Sequence, residues 1–120
     1  MGVAHWDEVE SHRRAKGEMD ASWQWLGNAA GTRGVGINRV RVAPGKLPTP
    51  PHSHGASEEL YFVLAGSGLA WQDGDLHDVR PLDCVIHRPD EMEHTFVAAA
   101  TSPYLARGTV ARQAGTWRSL

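Results

Sequence analysis

Residues His52 to Gly66 read HSHGASEELYFVLAG and combine histidines, carboxylates and an apolar run within fifteen positions. Two histidines stand two residues apart in this stretch, His52 and His54, and a carboxylate follows at Glu59. Alternate residues of a strand point to the same side, so both imidazoles can face one interior point. A carboxylate on an inward face is costly to bury unless a metal or another charge pairs with it. Two imidazoles and a carboxylate that converge on one point suit a divalent transition metal.

Short apolar segments bounded by turn residues lie on both sides of this stretch. Residues 37–42 alternate between two faces and predict a strand, and Asp73-Gly74 is a strong hairpin signal. Four of the seven prolines lie in 43–51, so the chain approaches the histidines in an extended form. The glycine-rich residues 27–36 predict a loop. Further strands are predicted over 22–26, 69–71, 76–79, 84–87, 94–97 and 104–107. This spacing favours an all-β sandwich or barrel.

Composition indicates one globular domain over the 120 residues, with a core at about 22–107, an N-terminal arm at 1–21 and a C-terminal tail at 108–120. The arm could be a short helix or an ordered segment that packs Trp6 on the core. A net charge of −2 gives no basic footprint for nucleic acid, and no run reaches membrane-spanning length. The single cysteine and the absence of a leader pattern predict a cytoplasmic protein.

The pattern His-x-His-x4-Glu-x6-Gly resembles the first sequence motif of the cupin superfamily. Residues 89–94, reading PDEMEH, and Asp83 resemble its second motif, and the similarity extends over about 36–107. The resemblance implies a cupin-type double-stranded β-helix, also called a jelly-roll barrel, with a short N-terminal arm. It also implies four metal ligands, and it selects Glu59 over the adjacent Glu58. These ligands are His52, His54, Glu59 and His94.

Two residues replace glycines of the family's second motif, Leu82 and Glu91. The replacement at Glu91 is expected to cost free energy, because a turn there would need the positive φ that glycine adopts freely. Cys84 lies in an apolar triplet and is expected to be a buried, inert thiol. The remaining histidines His5, His12 and His77 are interpreted as surface residues.

Two further residues are candidates for catalytic groups in the pocket. Tyr61 lies two residues after Glu59 on the same face, so its hydroxyl is expected to reach the site. His87 precedes the turn before His94, and its face is left open by the sequence. The pocket wall is predicted to include the aromatic residues Tyr61, Trp71, Phe96 and Tyr104.

Three imidazoles and a carboxylate leave one or two coordination positions for water, oxygen or substrate, which is typical of a catalytic site. The mixed nitrogen and oxygen ligands suit manganese, iron, nickel or zinc. The resemblance then implies a metal-dependent enzyme of dioxygenase, isomerase, lyase or cyclase type acting on a small organic molecule. The alternatives are a cupin that binds or senses a small molecule without catalysis, and one that keeps a metal for stability only. A homodimer is also predicted, because residues 59–64 are apolar on both faces of their strand.

Overall fold

A computed structural model of the chain describes residues 1–53, 57–89, 91–99 and 105–113, which form nine strands and one short helix. The all-β prediction is confirmed. In chain order the elements are β1 His12–Lys16, β2 Met19–Gln24, α1 Leu26–Ala30, β3 Gly36–Val42, β4 Ser57–Ala65, β5 Gly68–Gln72, β6 Asp75–Val79, β7 Cys84–His87, β8 His94–Ala98 and β9 Leu105–Gln113.

The strands form two antiparallel sheets, a larger one in the order β1-β2-β3-β9-β4-β7 and a smaller one in the order β6-β5-β8. β9 pairs with β3 on one side and with β4 on the other, so it lies inside the larger sheet. It continues to Gln113, beyond the predicted core boundary at residue 107. β6 and β7 are edge strands, and no ladder joins them within the described ranges. The two sheets are therefore open to each other along this side.

The core lies between the inner faces of the two sheets. Val40 and Val42 of β3 are fully buried while Arg41 is exposed, which confirms the alternation predicted for this strand. Val63 of β4 and Phe96 of β8 meet them from the other elements, with exposures of 0% and 1%. Each such side chain contributes about 1.5–3 kcal/mol through removal from water. Burial of these alternate positions holds the sheets face to face.

The hairpin between β5 and β6 turns at Asp73 and Gly74, as predicted. Both residues have positive φ, 48° and 84°, which are the angles of the turn that matches the twist of a two-residue hairpin. Gln72 and Asp75 pair directly across the turn. This hairpin sets the register of the smaller sheet.

The N-terminal arm contains a strand that the sequence did not predict. β1 pairs with β2 along its whole length, and Arg13 donates two hydrogen bonds to the Asp20 carboxylate at 2.9 and 2.8 Å. The Arg13 guanidinium lowers the pKa of Asp20. Further toward the N-terminus, the Arg39 guanidinium lies over the ring of Trp6, with Cζ 4.3 Å from the ring centroid. The Gln24 side-chain amide donates a hydrogen bond to the Trp6 main-chain carbonyl. The arm therefore packs on the larger sheet of its own chain.

Two predicted boundaries around this region were wrong. β2 ends at Gln24, so Trp25 is not on a strand with Trp23; it is the N-cap of α1 instead. The predicted loop over 27–36 begins with this helix, which ends at Ala30. The next residue, Gly31, caps it with a φ of 84°, the left-handed conformation typical of a glycine helix cap. A helix of five residues is too short to show a period in the sequence.

Leu82, one of the two residues that replace a glycine of the family motif, has the positive φ that glycine adopts freely. Its φ is 74°, its side chain is mostly exposed, and its N–H donates to the Val63 carbonyl at 2.8 Å. Glu91 directly follows Asp90, which lies outside the described residues, and the strain expected at Glu91 stays a prediction. The prediction of a buried Cys84 was also wrong: β7 alternates, and it turns Cys84 outward while His87 faces the core.

Candidate metal centre

The proline-rich segment before β4 places His52 beside β8. The Gly45 N–H donates to the Ala98 carbonyl, and the Ala98 N–H donates to the Lys46 carbonyl, both at 3.0 Å. Further along, His52 and His94 exchange two main-chain hydrogen bonds at 3.1 and 2.9 Å. The segment therefore runs next to β8 as a partial extra strand of the smaller sheet. It carries His52 to the position opposite His94.

Three of the four predicted ligands converge. One ligand atom from each of His52, Glu59 and His94 lies within 4.8 Å of the others. The His94 Nε2 to Glu59 Oε1 distance is 3.4 Å, and the exposures of these two residues are only 2% and 1%. Ligands at about 2.1 Å from one ion lie at most about 4 Å apart, so small side-chain adjustments suffice to enclose one. The donor set therefore fits a divalent transition metal.

His54, the other predicted ligand, lies outside the described residues. Glu58 is exposed, whereas Glu59 is buried, so only one of the two adjacent carboxylates can serve the cluster. The cause is the strand alternation of β4, in which Glu59, Tyr61 and Val63 share the buried face.

Hydrogen bonds in the preceding loop determine which nitrogen of His52 is available as a ligand. His52 Nδ1 lies 3.0 Å from the Pro50 carbonyl oxygen and 3.2 Å from Thr49 Oγ1. A carbonyl oxygen can only accept, so Nδ1 carries the hydrogen and Nε2 carries the lone pair. A metal-binding histidine ordinarily donates its other N–H in this way, which fixes the ring orientation. Thr95 Oγ1 in turn donates to the Thr49 carbonyl at 2.8 Å and ties the loop to β8.

The structure also shows that the His87 side chain points inward, a question that the sequence left open. β7 pairs with β4 in a register that sets His87 opposite Glu59, so both point inward. The His87 ring stacks on the His94 ring, with centroids 3.6 Å apart and planes 3° from parallel. Burial lowers the pKa of His87 to about 4, and repulsion from His94 adds to this. The imidazole is therefore neutral at pH 7, and neither of its buried nitrogens has a hydrogen-bond partner in the described part of the chain.

An aromatic wall closes the inner side of the cluster. Tyr61 is 7% exposed, and its ring centroid lies 4.7 Å from that of Phe96 and 6.4 Å from that of His94. The predicted wall residue Trp71 is half-buried, and Tyr104 lies outside the described residues. Because aromatic rings exclude water, they strengthen the electrostatic interactions of the polar groups they surround.

The turn before His94 is held by Glu91, at one of the replaced glycine positions. Its carboxylate accepts the Arg88 N–H, which is the main cause of the lowered pKa of Glu91, and it also accepts from the Gln72 amide at 3.4 Å. Gln72 donates in addition to the Met92 carbonyl at 3.2 Å. Hydrogen bonds of the Glu91 and Gln72 side chains therefore stabilise this turn. This role and that of Thr49 were missed from sequence, because both depend on contacts between separate segments.

The family model for the cupin domain matches residues 38–106, more than half of the chain. The protein therefore belongs to the cupin family, and its two antiparallel sheets form the cupin jelly roll. No curated protein sequence matches the chain significantly. Among the residues that the structure describes, no helix has the length and hydropathy to cross a bilayer.

Solved structures show the same fold in proteins of several named activities. A sugar phosphate isomerase of the cupin superfamily from Silicibacter pomeroyi superposes with a TM-score of 0.79 at 26% identity, over 91% of this chain and 74% of that one. A predicted oxalate decarboxylase from Thermotoga maritima gives 0.74 at 19% identity, over 92% and 98% of the two chains. The polyketide cyclase RemF from Streptomyces resistomycificus gives 0.74 at 23% identity, over 98% and 82%. The named activities of these three proteins differ, so the common fold leaves the reaction of this chain open.

Proposed function

We propose that this cupin is a metal-dependent enzyme that acts on a small organic molecule at an open divalent-metal site. The observation that carries the proposal is the burial of the Glu59 carboxylate beside the His52 and His94 imidazoles. Buried charges in proteins are paired or coordinate metals. The orientation of His52, with its Nδ1–H held by the Pro50 carbonyl, supports a ligand role for its other nitrogen.

The proposed ligand set is His52, His54, Glu59 and His94, with His54 taken from the sequence motif alone. Manganese, iron, nickel and zinc all suit this combination of nitrogen and oxygen donors. When bound, the ion would supply Lewis-acid chemistry, or oxygen activation if it is iron. The four residues would hold it from β4, β8 and the segment before β4, and a ligand set of this size would leave one or two positions open for a ligand.

The remaining polar groups near the cluster are the candidates for catalytic residues. We place Tyr61 and His87 in this role, since both are buried and both rings lie next to His94. The aromatic wall favours a small organic acid or aromatic compound that coordinates through oxygen. The reaction would be of dioxygenase, isomerase, lyase or cyclase type; a sugar phosphate isomerase, a predicted oxalate decarboxylase and a polyketide cyclase share the fold.

The two adjacent glutamates offer a matched experiment. The absorption spectrum of a cobalt-loaded sample reports the coordination of the ion, and oxalate is the chelating probe. We expect oxalate to change the spectrum of the wild type and of Glu58→Gln. Glu59→Gln should bind cobalt much more weakly, because it removes the buried charge. A tetrahedral spectrum that oxalate leaves unchanged would contradict an open site. An oxalate response without turnover of any organic acid tested would favour the alternative, a cupin that binds or senses small molecules.

We also propose that the protein is a cytoplasmic homodimer. Phe62, Leu64 and Ile86 are each more than a third exposed on the outer face of the larger sheet. The arm covers a different part of this sheet, near Arg39, in the same chain. A second copy would remove the apolar outer face from water.

A further inference from the structure

A cavity opens on the side where the two sheets are not joined. It has a volume of about 340 Å³ and lies between the hairpin β5–β6 and the edge strand β7. Ligand pockets in proteins are typically about 300–1,000 Å³, so the cavity has room for one small ring compound. Of the proposed metal ligands that the structure describes, none of His52, Glu59 and His94 lines it. His87, placed above among the candidate catalytic residues, belongs to this lining, so a ligand site here rests on the proposed function.

His87 is the most buried residue of the lining, at 4% exposure. One face of its ring is covered by the stacked His94 ring, yet neither nitrogen has a hydrogen-bond partner in the described part of the chain. Buried polar groups are ordinarily satisfied, so an unsatisfied imidazole next to a cavity calls for a partner. An imidazole with one N–H and one lone pair suits a group that both donates and accepts, such as a hydroxyl.

The other lining residues indicate the chemistry of the ligand. Ala70, Val79 and Val85 supply an apolar surface for a ring. Among the residues described around it, the cavity has two acidic ones, Asp78 and Asp83, and neither lysine nor arginine, so these residues disfavour an anion.

A second polar group stands at the mouth of this cavity. His77 pairs with the buried Ala70 and so shares the inner face of the smaller sheet. Although His77 is exposed, as the sequence indicated, it also lines the cavity. A ligand can therefore meet one imidazole at the deep end and a second one near the solvent.

We infer that this cavity is a binding site for an uncharged ring compound with hydroxyl groups, which takes the unsatisfied imidazole of His87 as its main polar partner. The stacking of His87 on His94 places this site next to the metal centre. A ligand here would be within reach of the centre without coordinating the ion.

Resorcinol is a suitable probe, because its two hydroxyls are too far apart on the ring to chelate one ion. We would titrate it into zinc-loaded protein labelled with ¹⁵N-histidine, and follow the imidazole signals by NMR. The expected result is saturable binding in the millimolar range or tighter, with the largest shift at His87 and a smaller one at His77. 1,3-Dimethoxybenzene, which lacks the O–H donors, and 3-hydroxybenzoate, which adds a negative charge, should both bind more weakly.

His87→Phe keeps the ring and removes both nitrogens, so it should weaken resorcinol binding at least about tenfold. His5→Phe is the matched control at an exposed site and should leave the affinity unchanged. Equal affinity of His87→Phe and the wild type for resorcinol would overturn the inference. NMR shifts confined to His52 and His94, or no saturable binding of resorcinol, would also overturn it. If His87→Phe does not fold, equal affinity of the wild type for resorcinol and its dimethoxy analogue would overturn it. Zinc content, measured on the same samples, separates failure here from failure of the proposed metal site.

Discussion

Thr49→Val tests how the metal site is held together without touching any proposed ligand. The hydroxyl of Thr49 lies 3.2 Å from His52 Nδ1, and the Pro50 carbonyl oxygen lies 3.0 Å from the same atom. Valine has nearly the same shape and removes only the hydroxyl. Loss of an outer hydrogen bond to a metal-binding histidine typically lowers metal affinity about 10–100-fold.

The structure places the expected effect at the lower end of that range. The Pro50 carbonyl still accepts from Nδ1 after the substitution, so the imidazole keeps its tautomer and loses only one of two contacts. We expect the zinc affinity to fall about tenfold, equivalent to about 1.4 kcal/mol. The free energy of unfolding of the metal-free protein should fall by about 1 kcal/mol or less, the usual net value of one hydrogen bond.

Competition with a chromophoric chelator measures the zinc affinity directly. Thr32→Val, the same change in a loop away from the centre, is the matched control and should bind zinc as the wild type does. An affinity of Thr49→Val within twofold of the wild type would refute the role given to the hydroxyl. A loss as large as that of His52→Ala would also refute it, because the carbonyl would then contribute nothing.

Three further results are expected. Leu82→Gly should raise the free energy of unfolding by about 0.5–1 kcal/mol in urea, because glycine relieves the positive φ at a small entropic cost; an unchanged midpoint would contradict this. The fold lowers the pKa of His87 from 6.5 to about 4, so the unfolded chain binds a proton more readily than the folded one. The contribution of this group to the free energy of unfolding is therefore fully present above pH 6.5 and should be lost as the pH falls toward 4. The loss attributable to this group in metal-free protein is at most about 3 kcal/mol, and the same pH series on His87→Phe should lack it. Light scattering should give a dimer mass at micromolar concentration and a monomer mass for Phe62→Glu; a monomer mass for the wild type would exclude the homodimer.

Features of the fold that depend on neighbouring residues could be predicted from sequence. The alternation that buries Val40 and Val42 is local, and so is the Asp73-Gly74 turn. Features that depend on pairing between distant segments could not be predicted in this way. β1 is a strand of five exposed residues that exists because β2 pairs with it, and β9 reaches Gln113 because β3 and β4 pair with it on both sides.

The same distinction applies to the candidate site. The convergence of His52, Glu59 and His94 was implied by the resemblance to the two cupin motifs, because these residues lie on separate segments. The inward face of His87 depends on the register that pairs it with Glu59, and the contact of Thr49 depends on the path of the proline-rich loop. Glu91 was expected to cost strain as a replaced glycine, yet its side chain holds the turn through the Arg88 N–H. Such a compensation becomes visible only when the turn and its neighbours are seen together.

We propose that His52, His54, Glu59 and His94 together hold one divalent metal ion. Elemental analysis of protein purified without chelator tests it most directly, with the double variant His52→Ala, His54→Ala as the comparison. The wild type should contain about one equivalent of a transition metal per chain. The double variant should contain little or none, since two of the four ligands are removed. Stoichiometric metal in the double variant, in a protein that folds as the wild type does, would contradict it.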